Sequence, residues 1–92
     1  MIVQLSARAK AELDAALAYL TAESPSAAER LARHMEAALI SLTQMPNRGR
    51  PGVVDGTREL VVPKAPYVIV YVTLEDRVLV ARIRHTSRDP SP

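Results

Sequence analysis

The sequence predicts an α+β fold in which a helical hairpin covers one face of a small antiparallel sheet. Apolar residues recur with a helical period through the first half of the chain, whereas the second half is dense in β-branched and aromatic residues. This order, β-α-α-β-β-β, segregates helices from strands and favours two packed layers. The 92 residues suffice for one domain, which we expect over residues 1–89, with 90–92 as a loose tail.

The first elements are a short strand and a helix. Ile2 to Leu5 alternates weakly and is short enough for a strand, and Ser6 can cap the helix that follows. Spacings of three and four define the apolar face of this helix, which consists of Ala9, Leu13, Ala16, Leu17 and Leu20. A face of this width predicts a packing partner.

Two start signals overlap before the second helix. Ser24 can cap it with Pro25 at the first helical position, or Ser26 can form a capping box with Glu29. The apolar stripe ends before Pro46 and comprises Ala28, Leu31, Ala32, Met35, Ala38, Leu39 and Leu42. Since few residues separate the helices, they are predicted to form an antiparallel hairpin.

A turn-rich segment, residues 47–57, separates the helices from the strands. It holds all three glycines and Pro51, so it is predicted to be a crossing segment and not an element. Three strands are predicted over Arg58 to Val62, Tyr67 to Thr73 and Val78 to His85. The core residues expected to meet are Leu13, Leu17, Leu31, Met35, Leu39 and Leu42 on the helices, and Leu79, Ile83 and Ile69 or Val70 on the strands.

Alternation in the last strand predicts a basic strip, Arg82, Arg84 and Arg88, on the sheet face that the helices leave open. The core face would hold Leu79, Ala81, Ile83 and His85, and the open face Val78, Val80, Arg82 and Arg84. Net charge is only +2, yet residues 47–92 carry eight basic and five acidic side chains. No acidic residue lies between Arg77 and Asp89 to pair with these arginines. We therefore expect the strip, with Arg58 or Tyr71 nearby, to bind carboxylates or phosphates. The alternative is an ordinary solvated sheet face.

Candidate catalytic and metal-binding groups are few. His85 could serve as an acid or base, although a partly buried structural histidine is favoured, and His34 is expected to be exposed. With no cysteine and two distant histidines, the sequence predicts neither a metal site nor a cofactor. Residues 48–51 resemble a minor-groove hook, but their place between two patterned elements favours a turn. No membrane span or signal peptide is indicated, so a cytoplasmic location is expected.

Four motifs follow one another behind the capped second helix: Arg48 to Gly52, Gly56 to Val62, Pro66 to Tyr71 and Arg84 to Asp89. Their order and spacing resemble the ParE/RelE superfamily of bacterial toxins over nearly the whole chain. The resemblance implies the toxin half of a type II toxin–antitoxin pair, neutralised by a small antitoxin whose C-terminal segment wraps the toxin. Arg58, Tyr71, Arg82, Arg84 and Arg88 would then bind the antitoxin or the target.

The resemblance leaves alternatives of different class. RelE-like members cut mRNA on the ribosome, whereas ParE-like members bind and poison DNA gyrase. The nuclease branch has basic side chains at the positions of Glu59, Val61 and Val68 and a tyrosine after the last strand, none of which this chain matches. Only Arg88 falls where that branch has a catalytic arginine, so His85 and Arg88 would be catalytic only in a nuclease.

The ParE-like reading is therefore favoured, with a cognate antitoxin as partner in a hetero-oligomer and DNA gyrase as target. It implies no membrane association, no small-molecule substrate and no strong direct binding to nucleic acid. A non-toxic protein- or DNA-binding domain is the further alternative.

Overall fold

Two helices and five strands make up the fold in a computed structural model that describes residues 1–87. In chain order they are β1 Ile2–Leu5, α1 Ala7–Glu23, α2 Pro25–Gln44, β2 Arg50–Pro51, β3 Arg58–Val61, β4 Tyr67–Thr73 and β5 Arg77–His85. The predicted α+β class and the helical hairpin on one sheet face are confirmed. Arg88 and the expected tail, 90–92, lie outside the described residues.

Serine caps fix both helix starts. The Ser6 hydroxyl accepts a hydrogen bond from the Ala9 amide at 3.0 Å, and the Ser24 hydroxyl accepts one from the Ala27 amide at 3.3 Å. Pro25 occupies the start of α2, so of the two predicted caps the structure uses Ser24 and not Ser26 with Glu29. Because Ser24 also ends α1, a single residue joins the helices.

The sheet is mixed and has the strand order β1-β5-β4-β3-β2. β1 runs parallel to β5, whereas the other pairs are antiparallel, so the prediction of a purely antiparallel sheet is corrected at one edge. The sequence pattern predicted strand β1, but it cannot show whether β1 runs parallel or antiparallel to a strand that comes much later in the chain. Residues 50–51, predicted to lie in a crossing segment, form β2 beside β3. Pro51 is tolerated there because β2 is an edge strand.

A β-bulge divides β5 into two parts whose alternation differs. Val70 pairs with Arg82 but Tyr71 pairs with Val80, so Ala81 is an extra residue on β5. The predicted faces are therefore wrong in the first half of the strand: Val78 and Val80 are buried, whereas the predicted core residues Leu79 and Ala81 are only half-buried. Beyond the bulge the prediction holds, since Ile83 is buried in the core.

The core lies between α2 and the covered face of the sheet. Its fully or nearly fully buried side chains include Leu31, Met35, Ala38, Leu42, Leu60, Ile69, Tyr71, Val80 and Ile83. The predicted stripe of α2 is thus confirmed except at Ala32, which is exposed, and of the two β4 candidates Ile69, not Val70, lies in the core. Leu13, Leu17 and Leu39 pack against this core but remain partly exposed. Within residues 1–87, neither helix is long and apolar enough to cross a membrane.

Candidate functional site

Arg82 is held by a carboxylate from the first helix. Its Nε and one terminal nitrogen donate to the Glu12 carboxylate at 3.3 and 2.9 Å, and the arginine side chain is only 7% exposed. The other Glu12 oxygen accepts from the backbone amide of Ile83 at 3.0 Å. β1 pairs with β5 only as far as Val80, so Glu12 satisfies the strand edge that β1 leaves uncovered.

Arg84 is held by a second carboxylate, Glu59, on the open face. Glu59 lies on β3, and its side chain spans β4 to reach Arg84 at 3.3 Å. It also accepts from Arg50 and from the backbone amide of Val53, both at 3.3 Å. Burial of Glu59 favours its neutral form, but the hydrogen bonds from Val53, Arg50 and Arg84 outweigh it, so the pKa of Glu59 is lowered. The carboxylate is therefore ionised and committed to these cations.

The prediction that these arginines lack acidic partners is wrong. Arg77 pairs with Asp76 at 2.9 Å, Arg82 with Glu12 and Arg84 with Glu59. The partners of Arg82 and Arg84 lie on other elements and become neighbours only through the tertiary fold. Arg88, the last residue of the predicted strip, lies outside the described residues. Whether the strip binds a partner stays a prediction, but most of its charge is already balanced.

Tyr71 and Arg58 fix the segment that leads into β2. The fully buried Tyr71 hydroxyl donates to the Pro46 carbonyl at 2.7 Å and accepts from the Gly49 amide at 2.8 Å. Arg58 donates to the carbonyls of Gly49 and Asn47 at 2.8 and 3.3 Å. A Cβ at Gly49 would lie 2.8 Å from the Tyr71 hydroxyl, so only glycine fits. In this structure Tyr71 presents no surface to a partner.

The segment that resembles a minor-groove hook is tied into the fold. Arg48 donates to the Ser41 hydroxyl at 2.7 Å, and Arg50 pairs with Glu59 across the β2–β3 ladder. An extended hook must be able to leave the protein surface and follow a groove, whereas these residues are anchored at each position. The arrangement agrees with a structural role for residues 48–51.

His85 and His34, predicted to be distant, line the same cleft. His85 is half-buried at the end of β5, where its Nδ1 lies 3.1 Å from both the Ser87 amide and hydroxyl and its ring packs edge-to-face on Tyr67 at 5.1 Å. His34 is half-buried and not exposed as expected. The cleft has a volume of about 330 Å³. No sequence spacing could have joined the two, because α2 meets the end of β5 only after the chain has folded.

No group of three or more histidine, cysteine or acidic side chains within residues 1–87 could hold a metal ion. Among the described residues, three clusters of ionisable side chains are candidate sites. These are the Glu59 and Arg84 network on the open face, the Glu12 and Arg82 pair at the sheet edge, and the cleft with the two histidines.

A family match, two sequence relatives and one structural neighbour give consistent results. Residues 3–90 match the family described as ParE toxin of type II toxin–antitoxin system, parDE. Two toxins of Caulobacter vibrioides are similar: RelE1, 44% identical over 90% of this chain and 90% of the relative, and RelE2, 41% identical over 88% and 90%. A chain of the chromosomal ParDE TA system from P. aeruginosa superposes with a TM-score of 0.85 over 95% of this chain and 97% of that one. At 23% identity it shows a shared fold.

Proposed function

The chain belongs to the ParE toxin family of type II toxin–antitoxin systems, and from that premise we propose that it halts growth by binding DNA gyrase. A cognate antitoxin neutralises it by covering its surface. The relatives carry RelE names while the family description carries ParE, so names alone do not separate gyrase binding from mRNA cleavage. The choice rests on the chemistry of the open face.

The observation that carries the proposal is the open face around Glu59. Where the nuclease branch has basic side chains, this chain has Glu59, Val61 and Val68 on neighbouring strands. Val61 is 47% exposed and Val68 is buried. Both are apolar and offer no charge, and Glu59 adds a carboxylate where the nuclease branch has a cation. Of the three positions only the apolar Val61 is exposed to an RNA phosphate, since Glu59 and Val68 are buried. The neighbouring Arg84 and Arg50 are both paired with Glu59. The surface suits a protein partner better than a phosphodiester in its transition state.

Ribosome-dependent mRNA cleavage is the second candidate, favoured by the names of the two Caulobacter relatives. Under that reading His85 would transfer a proton and Arg88 would stabilise charge. Losing one such group typically costs a hundredfold or more in rate, and this chain lacks most of the set that the nuclease branch carries. The remaining pair is therefore expected to support little cleavage.

The test compares two purified assays with the same preparation of the chain. We expect it to inhibit supercoiling by gyrase and to leave mRNA on translating ribosomes intact, with the effect removed by prior addition of the cognate antitoxin. Codon-positioned cleavage that Arg88→Ala abolishes, with supercoiling untouched, would establish the RelE-like alternative instead. Inactivity in both assays would contradict the proposal and favour a non-toxic binding domain.

We also propose that the antitoxin supplies carboxylates to the basic strip, through the exposed parts of its arginines. Truncating an arginine of such a desolvated pair costs on the order of 2–5 kcal/mol of affinity. Because Arg84 also pairs with Glu59, Arg84→Ala must be shown by its melting curve to stay folded before its affinity is interpreted. Arg84→Lys keeps the charge, and Lys10→Ala on α1 is the control for overall charge. Unchanged antitoxin affinity in folded Arg84→Ala would refute this assignment.

A further inference from the structure

A cleft at one end of the molecule is lined by aromatic and basic side chains that have no role in gyrase binding as proposed above. α1 contributes Tyr19 and α2 contributes Arg30 and His34. The β3–β4 turn supplies Lys64, β4 supplies Tyr67 and β5 supplies His85. Two of the three tyrosines, both histidines and one of the two lysines of the chain thus meet here. No aspartate or glutamate lines the cleft. It combines aromatic surface with positive charge.

The two cations of the cleft have no carboxylate partner among the described residues. No ion pair in the described part of the chain involves Arg30 or Lys64, and both residues are exposed. A surface cation without an acid nearby keeps its full attraction for an anionic ligand. The histidine rings add hydrogen-bonding nitrogen atoms beside these charges.

The backbone at Lys64 is also unusual. Its φ is 63°, in the left-handed region that non-glycine residues rarely adopt, and it is the one such residue within 1–87. This conformation costs on the order of 1 kcal/mol for a residue with a Cβ. Backbone strain of this kind concentrates where a side chain has to be presented for function. Here a strained turn places the lysine in the lining of the cleft.

We propose that the cleft is a binding site for a nucleoside phosphate. The base packs against the rings of Tyr19 and Tyr67, and the phosphates are held by Arg30 and Lys64. Aromatic side chains accept any base on their faces, and arginine and lysine are the usual phosphate ligands. A volume of about 330 Å³ is at the small end for ligand sites and suits one nucleotide. The proposal holds whether the chain acts on gyrase or on mRNA.

Ring signals in NMR spectra of the full chain offer a direct test, with adenosine triphosphate as the probe. We expect the rings of His34, His85, Tyr19 and Tyr67 to shift along one saturable curve. Tyr71, fully buried away from the cleft, is the internal reference and should not move. Absence of shifts at millimolar nucleotide would overturn the proposal.

Two lysine variants separate a specific site from general charge attraction. Lys64→Gln should weaken binding about tenfold, because a charged contact to phosphate is lost. Lys10→Gln removes the same charge from the exposed surface of α1 and should leave the affinity unchanged. Lys64 makes no ion pair among the described residues, so its replacement removes no native partner. Equal weakening by both variants would contradict a defined site.

Two further ligands test the two halves of the proposal. Inorganic triphosphate lacks the base and should bind about tenfold more weakly than adenosine triphosphate, since the stacking contribution is absent. Equal affinity would overturn the role of the tyrosines. A single-stranded trinucleotide extends beyond one nucleotide and should bind no more tightly than the free nucleotide. Tighter binding would replace the free nucleotide by a nucleic-acid strand as the ligand.

Discussion

Two cationic regions of this molecule differ in how their charge is used. On β5, Arg82 and Arg84 are largely buried and each is bound to a carboxylate of another element. At the cleft, Arg30 and Lys64 are exposed and lie among aromatic rings, with no ion pair in the described part of the chain. A row of arginines in a sequence therefore does not by itself identify a binding surface. The location of the acids decides which cations are available.

The ion pairs of the β5 arginines are therefore expected to matter for the stability of the fold, whereas the cleft cations are not. Buried ion pairs are poor evidence of net stabilisation, but removing one partner leaves a charge without compensation. Exposed cations carry no such penalty. Substitutions in the two regions are therefore expected to differ first in stability and only then in binding.

The largest effect is expected from Glu59→Ala. This change leaves Arg84, whose side chain is 12% exposed, without its carboxylate, and it also removes the acceptor of the Val53 amide. Breaking a buried pair in this way costs roughly 3–5 kcal/mol of unfolding free energy. Urea denaturation measures the loss. Asp14→Ala breaks the exposed pair with Lys10 and should barely alter the midpoint. A similarly small loss for Glu59→Ala would show that the buried pair does not contribute more to folding than an exposed one.

A smaller loss is expected from Tyr71→Phe. The change keeps the buried ring but leaves the Gly49 amide and the Pro46 carbonyl without the hydroxyl that joins them. An unsatisfied buried polar group costs about 1–3 kcal/mol, measurable by the same denaturation experiment. Tyr67→Phe, on a partly exposed ring whose hydroxyl makes no hydrogen bond among the described residues, is the matched control. Equal effects of the two variants would show that the hydroxyl does not anchor the segment before β2.

Acid should weaken the Glu59 network and thereby lower the stability of the fold. The pKa of Glu59 is lowered in the folded chain, so its contribution to stability is full above the ordinary value of 4.5 and is lost as pH falls through the lowered value. Unfolding free energies measured at a series of pH values should therefore fall more steeply for the natural chain than for Glu59→Gln. Parallel pH profiles would mean that this carboxylate does not contribute.

The smallest effect is expected at Lys64 and has the opposite sign. Lys64→Gly relieves the left-handed backbone, so stability should rise by up to about 1 kcal/mol. The same change at Lys10, inside α1, should instead lower stability by about 1 kcal/mol. A melting-curve comparison of the two variants checks this. Destabilisation at both positions would show that the turn does not strain Lys64.

Local signals predicted the elements well because their causes are local. Ser6, Ser24 and Pro25 marked the helix starts, and the strand over Tyr67 to Thr73 was predicted with its observed bounds. Alternation failed on β5 because one extra residue, Ala81, shifts the pattern, and no residue type announces a bulge.

The candidate sites were harder to predict because they depend on contacts between distant residues. Glu12 and Arg82 are 70 positions apart, and Glu59 and Arg84 are 25 apart. The sequence showed that the arginines lacked neighbouring acids, but only the topology brings these carboxylates beside them. The meeting of His34 with His85 was missed for the same reason.

The position of β5 in the sheet also sets an order for events during synthesis. β5 lies between β1 and β4, so the first strand of the chain has no sheet neighbour until residues 77–85 have been made. Glu12 likewise waits for Arg82 and the Ile83 amide. Such long-range pairing slows folding and leaves apolar surface exposed on unfinished chains. A translation product that stops before β5 thus lacks the neighbour of β1 and the partners of Glu12, so the fold cannot be completed until β5 has been made.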